Sequence, residues 1–246
     1  MSTESKITFI TNKICPYAHR AWIALNAKGL NYELKEVDLV DKPAEFTTYY
    51  RKAIGHDRAS DGKVPIVCFG DDLVLTESAI LVEYLDRAFP SSGHKLFSDN
   101  PLVVYKGRIF LDYIGPKFFS HAYAVFGSLT DASQDGTKSA ALPNIYAGLR
   151  YLEDLIDGPF IGGEEWGFAE VCAYTFFAPE RIHALTLRGF SWEEANTPKL
   201  KGMIDRLAEI PAFKATHQSN EDFLAQLKDV YSRRQAKAAA AAAGSK

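Results

Sequence analysis

The chain has 246 residues, a length that suits one or two domains. Lysine plus arginine total 28 against 31 aspartate plus glutamate, a formal net charge of −3 that argues against a sequence-independent nucleic-acid binder. Hydrophobic residues at 47% and charged residues at 24% are ordinary globular composition and exclude disorder as the main state.

Ile7 to Thr11 reads as a short buried strand, followed by a loop from Asn12 to Cys15. Pro16 opens a helix that runs through Tyr17 to Lys28 and is closed by Gly29. Tyr32 to Leu39 alternates apolar and charged residues and predicts a half-exposed strand. A weaker helix spans Pro43 to Arg51, and Ile54 to Lys63 is a polar loop. Pro65 to Phe69 and Leu73 to Leu75 are strands joined by the turn Gly70-Asp71-Asp72, a hairpin signal. Ser78 to Phe89 predicts an amphipathic helix with Ile80, Leu81, Tyr84, Leu85 and Ala88 on its buried face. Pro90 to Pro101 is rich in turn-forming residues and reads as a linker.

Beyond the linker the pattern is helical. Leu102 to Ser128 is one long segment with a kink expected near Gly115-Pro116. A polar break covers Asp131 to Gly136. Helices follow over Ala140 to Ile156, stopped by Asp157-Gly158-Pro159, then over Glu170 to Leu187, Pro198 to Glu209 and Asp222 to Ser232. The order β-α-β-α-β-β-α followed by helices predicts an α/β domain over residues 1–90 and a linker over 91–101. An all-helical domain over 102–235 and a low-complexity tail over 236–246 complete the chain.

Cys15, Cys68 and Cys172 are an odd number and form neither a disulfide framework nor a zinc quartet, so no metal is expected. They suit a reducing compartment, where a free thiol can serve chemistry. No stretch approaches the roughly 18 uninterrupted apolar residues of a membrane-spanning helix. The segment from Met1 to Lys6 is polar and lacks the apolar core of a secretion signal, so a cytoplasmic location is expected.

The chemistry concentrates in Cys15-Pro16-Tyr17-Ala18-His19-Arg20. A thiol at a helix start meets unsatisfied backbone amides and the positive end of the helix dipole. Both favour the thiolate and draw the pKa from about 8.5 toward roughly 3.5–7.5. The competing reading is a buried structural cysteine, and the position favours reactivity. His19 and Arg20, one turn on, could add positive potential, but the stronger reading is a solvated His19 and a structural, ion-paired Arg20. Cys68 in a strand and Cys172 in a helix read as buried hydrophobes. Val64-Pro65 precedes a strand, and spacing leaves two readings open. A cis proline would present the Val64 backbone as a pairing edge for an extended peptide. A trans proline would simply enter an edge strand. In Thr76-Glu77-Ser78, Ser78 reads as a helix N-cap. It either caps or holds a ligand carboxylate, with Glu77 placed for an ammonium.

These three elements, in this order, resemble the glutathione transferase superfamily, and Cys15-Pro16-Tyr17-Ala18-His19-Arg20 looks like its cysteine classes, omega and lambda. The resemblance covers most of the chain and is strongest from Ile7 to Phe97, through Lys63-Val64-Pro65 and Glu77-Ser78-Ala79-Ile80. It implies a thioredoxin-like, glutathione-binding first domain and a helical second domain carrying the acceptor pocket. Cys15 would be the nucleophile that forms a mixed disulfide with glutathione. Val64, before a cis Pro65, would pair with the cysteinyl unit, Glu77 and Ser78 would hold the γ-glutamyl end, and Lys42 would approach the glycyl carboxylate. Tyr17, the stretch Phe118-Phe119-Ser120-His121, and Arg181 to His183 would wall the acceptor pocket. Glutathione is the implied cosubstrate, a small hydrophobic or glutathionylated molecule the acceptor, and a homodimer the implied assembly, with no nucleic acid or membrane involved. The implied activity is thiol transfer or reduction by a cysteine nucleophile. Glutathione conjugation, glutathione removal from aromatic conjugates, or non-catalytic carriage of hydrophobic ligands are the alternatives. Two features depart from the family pattern. The loop Ile54 to Lys63 is long, which leaves the glycyl-end contacts open, with His56, Arg58 and Lys63 as unranked candidates. Gly167-Phe168-Ala169-Glu170 replaces a Ser/Thr-x-x-Asp capping box, at a loss of roughly a few tenths of a kcal/mol.

Overall fold

A computed structural model of the chain describes residues 6–55, 62–129 and 135–244. His56 and Arg58 lie outside the described residues, as do 131–134 of the polar break and 245–246 of the tail. The first unit is a four-stranded sheet in the order β2-β1-β3-β4. Its strands are β1 (Ile7–Thr11), β2 (Glu33–Glu36), β3 (Ile66–Phe69) and β4 (Leu73–Leu75). β1 runs parallel to β2 and antiparallel to β3, and β3 and β4 form the expected hairpin. Side chains alternate between faces with period two. Phe9, Val67 and Phe69 point to the main core beneath α1 (Pro16–Ala27) and α3 (Ser78–Ala88). Ile10, Ile66 and Cys68 point to a second core under α2 (Ala44–Ile54), beside Phe46, Tyr50 and Val64. With helices on both faces, every residue of β3 is buried.

Three details of this unit differ from expectation. β2 stops at Glu36, because the Asp38 carboxylate accepts the amides of Val40 (2.7 Å) and Asp41 (3.0 Å) and turns the chain. Ile80 is 66% exposed. The buried face of α3 runs instead through Ser78, Leu81, Val82, Leu85 and Asp86, at helical spacing. Ser78 is the first helical residue, and Glu77 is the N-cap.

Asp86 ties the linker to this unit. Its carboxylate accepts Lys28 Nζ at 2.9 Å and the amides of Leu96 (2.9 Å) and Phe97 (3.0 Å). Burial disfavours the charged form, but the two amides and the Lys28 ammonium outweigh it and hold the carboxyl below its usual range. Removing the carboxylate would leave a buried ammonium without its counter-charge, a loss of about 3–5 kcal/mol.

The second unit is helical. The expected kink at Gly115-Pro116 is a π-helical turn, Ile114–Phe119, between α4 (Pro101–Tyr113) and α5 (Ser120–Gly127). α6 spans Asp135–Glu153, starting and ending earlier than predicted. The single helix expected over Glu170 to Leu187 is two, α7 (Phe168–Tyr174) and α8 (Pro179–Thr186). Pro179 cannot donate to the preceding turn but suits the first position of a new helix. Two helices of four residues, α9 (Trp192–Ala195) and α11 (Pro211–Lys214), flank α10 (Pro198–Glu209). α12 (Asn220–Gly244) is longer than predicted and absorbs the alanine-rich tail. Gly167 is dictated by packing, since a Cβ there would lie 2.5 Å from the Leu96 carbonyl oxygen. Glu170 still closes the cap by accepting the Gly167 amide at 2.8 Å. One continuous core runs from Phe9 and Leu85 to Phe126, Cys172 and Leu200, so the two units share their hydrophobic interior. No described helix is long and apolar enough to cross a membrane.

Candidate functional site at the start of the first helix

The site begins with Asn12. Its Oδ1 accepts the Ile14 amide (3.1 Å), its Nδ2 donates to the Val37 carbonyl (2.9 Å), and its own carbonyl accepts the Cys15 amide (3.0 Å). This local network fixes the loop that delivers Cys15 as the N-cap of α1, with Pro16 as the first helical residue. Cys15 is half-buried, and its side chain makes no capping hydrogen bond. Cys68 and Cys172 are buried in the core, as the sequence predicts.

Two cavities meet at Cys15. A polar one of about 440 Å³ brings together Lys42, Val64, Pro65, Glu77 and Ser78. An apolar one of about 190 Å³ is walled by Phe119, Tyr123, Phe223 and Tyr231, with Arg181 at its base. Cys15, Tyr17, Leu39 and Arg234 line both. The Val64–Pro65 peptide is cis, which answers the question left open by spacing. The Thr76 hydroxyl donates to the Pro65 carbonyl at 2.8 Å. Lys42 Nζ donates to the Gly62 carbonyl at 2.9 Å. Lys63 also borders the polar cavity. Glu77 is exposed and sits at φ 68°, a backbone region that side chains other than glycine's occupy at a cost of about 1–3 kcal/mol. Such outliers persist where the surroundings hold them, and Glu77 lines the polar cavity.

Among the expected acceptor-pocket residues, Tyr17, Phe119 and Arg181 line the apolar cavity. Tyr17 packs edge-on against Phe119 (5.8 Å) and Phe176 (5.6 Å). Phe118 is 1% exposed and packs against Phe177 in the core. His121 and His183 lie outside the lining of either cavity. The residues missed by sequence reasoning include Leu39, Tyr123, Phe126 and the stripe Phe223, Leu227, Val230, Tyr231 and Arg234 on α12. The stripe has helical spacing, but nothing local says that it faces a cavity rather than a core.

A buried polar network backs the cysteine. Arg181, 1% exposed, donates to the Ile14 carbonyl (3.3 Å), to Glu180 (3.0 Å) and to His19 Nδ1 (3.2 Å). The Thr216 hydroxyl donates to the Phe213 carbonyl (2.6 Å), so the 2.6 Å contact with His19 is a donation from Nε2–H. That leaves Nδ1 as the acceptor for Arg181. His19 is therefore buried and neutral, not solvated, and contributes no positive charge. Burial first, then Arg181 and His217, hold its pKa well below the ordinary value. Arg20 is buried too, donating to the Cys172 carbonyl (3.0 Å) and the Ser78 hydroxyl (3.3 Å), which ties α1 to α7 and α3.

These surroundings correct the expected fall in the Cys15 pKa. Burial is the largest influence and pushes the thiol up. The amides of Ala18 and Tyr17 and the charges of Arg181 and Arg20 pull it down without offsetting the burial. The balance holds the Cys15 thiol above its ordinary range. Its alkylation by iodoacetamide, followed by peptide mapping, is expected to rise with a midpoint above the ordinary thiol value of about 8.5. A midpoint below neutrality contradicts this account.

The profile of the family described as Glutathione S-transferase, N-terminal domain, matches residues 14–88. Glutathione S-transferase omega-1 of Mus musculus is 27% identical over 200 residues, 80% of this chain and 75% of the relative. Among solved structures, glutathione transferase Omega 3C of Trametes versicolor superposes with a TM-score of 0.75 at 24% identity, covering 94% of this chain and 92% of that one. Rice GST1, solved in complex with glutathione, gives a TM-score of 0.74 at 26% identity, covering 93% and 98%. The first unit is thus a thioredoxin-like domain followed by a helical one, as expected. The profile over residues 14–88 and relatives aligned over most of the chain make it similar to glutathione transferases, with omega-class proteins among those relatives.

Proposed function

We propose that the chain is a glutathione-dependent thiol transferase or reductase in which Cys15 is the nucleophile. The observation that carries this reading is the position of Cys15 at the junction of a polar and an aromatic cavity. In this reading glutathione occupies the polar cavity, within residues 1–90. The Val64 backbone pairs with its cysteinyl unit. Glu77 holds the ammonium and Ser78 the carboxylate of the γ-glutamyl end, and Lys42 faces the glycyl carboxylate. The acceptor occupies the aromatic cavity, contributed mainly by residues 102–235.

The Cys15 thiolate attacks the glutathione sulfur of a mixed disulfide and the acceptor leaves as a thiolate. A second glutathione thiolate then attacks the enzyme-bound sulfur, forming oxidised glutathione and restoring Cys15. Sulfur suits both steps because it is nucleophile and leaving group in turn. The Ala18 and Tyr17 amides and the Arg181 and Arg20 charges favour the thiolate at the moment of attack. A serine or tyrosine at this position would instead stabilise the thiolate of glutathione itself, which is the conjugating alternative. Three free cysteines support a reducing, cytoplasmic location. Exposed Ile80, Leu102 and Tyr105 support a homodimer through α3 and α4, which a monomer by light scattering contradicts.

Cys15→Ala is expected to lower turnover of a glutathionylated disulfide by more than about a hundredfold while glutathione binding persists. Steady-state kinetics with calorimetric glutathione titration checks both. Retained turnover in Cys15→Ala overturns the nucleophile. Conjugating activity in Cys15→Ser, with none for disulfides in the parent, favours conjugation. Binding of hydrophobic ligands without any turnover favours the carrier.

A further inference from the structure

The aromatic cavity has an electrostatic bias that its walls do not neutralise. Among the described residues no carboxylate side chain lines it, and the two cations that do, Arg181 and Arg234, differ in how they are held. Arg181 is buried and paired with Glu180. Arg234 is exposed on α12, and its guanidinium donates to the Tyr123 hydroxyl, itself part of the cavity wall. Among the described residues Arg234 has no carboxylate partner. Its neighbours on α12 are differently placed: Arg233 meets Asp38, Asp41 and Asp229, and Lys237 meets Asp41. The helix is thus strapped to the first unit by Arg233 and Lys237, and Arg234 is left facing the junction of both cavities.

A guanidinium without a counter-charge beside aromatic walls matches a planar ring that carries an anionic group. The cavity volume of about 190 Å³ is below the roughly 300–1,000 Å³ of sites for drug-sized ligands, so a single substituted ring suits it. Resting on the thiol-exchange reading above, we propose that Arg234 is a specificity-determining residue that selects acceptors built as small aromatic anions joined through sulfur to glutathione. The Cys15 thiolate attacks the glutathione sulfur, the S–S bond breaks, and the aryl thiolate departs with its carboxylate paired to Arg234. A second glutathione thiolate completes the exchange as oxidised glutathione.

The test uses two matched substrates, the mixed disulfides of glutathione with para-mercaptobenzoate and with its neutral amide, para-mercaptobenzamide. Arg234→Gln is expected to lower kcat/KM for the benzoate about tenfold, the size of one charge-assisted hydrogen bond at a partly exposed site. Any loss on the benzamide should be well below that on the benzoate, and Arg234→Lys should recover part of the benzoate loss. Equal losses on both substrates, or a raised KM for glutathione, overturn the proposal by assigning Arg234 to glutathione. No loss on either also overturns it. Calorimetry with the unreactive thioether para-(methylthio)benzoate and its amide separates this proposal from the thiol-exchange reading. If the parent protein turns over neither disulfide, thiol exchange fails. A preference for the benzoate that Arg234→Gln abolishes still upholds the selectivity of Arg234, and binding without preference overturns it.

Discussion

The guanidinium of Arg181 is the interaction on which the arrangement depends. It is carried by α8, in the helical unit, yet it holds the carbonyl of Ile14, the residue before Cys15. The same group donates to His19 on α1 and is neutralised by Glu180. A buried charge of this kind is tolerated only when paired and hydrogen-bonded, and removing its partner costs about 3–5 kcal/mol. The contact therefore fixes the loop of Cys15 against the second unit and places positive charge near the thiol. Positioning and electrostatics come from one side chain, which is why the site is a property of both units together.

Against this stands the cost of enclosure. The burial that shapes an aromatic cavity beside Cys15 also disfavours its thiolate. The helix-start amides and two guanidiniums act against that burial without cancelling it. The network behind the cysteine adds no further charge, since His19 is held neutral between Arg181 and Thr216. Protonating His19 would set two cations against each other inside the core. The architecture thus sets an apolar, aromatic-walled cavity beside Cys15 at the expense of its thiolate.

The parts of this arrangement that were legible in the sequence are those encoded locally. Cys15-Pro16 marks a strand-to-helix junction, Val64-Pro65 the entry to a strand, and Glu77-Ser78 a helix start, and the fold brings all three to one cavity. The parts that were not legible depend on tertiary placement. Ile80 fits an apolar face by periodicity, yet the buried face of α3 is rotated away from it. Phe118 and Phe119 are adjacent in sequence, but the π-helical turn sends one to the core and the other to the cavity. The stripe from Phe223 to Arg234 reads as an ordinary helix, because only the packing of α12 against α8 and its ion pairs to Asp38 and Asp41 make it a cavity wall. The expected fall in the Cys15 pKa missed for the same reason: helix-start amides are visible in the sequence, whereas enclosure is not.

The most direct test of a reactive Cys15 is the intact mass of the protein after incubation with oxidised glutathione at mildly alkaline pH, compared with that of Cys15→Ala. The account predicts that the parent gains a single glutathione and the variant none, with peptide mapping assigning the adduct to Cys15. An unmodified parent, or an adduct on Cys68 or Cys172, would contradict it.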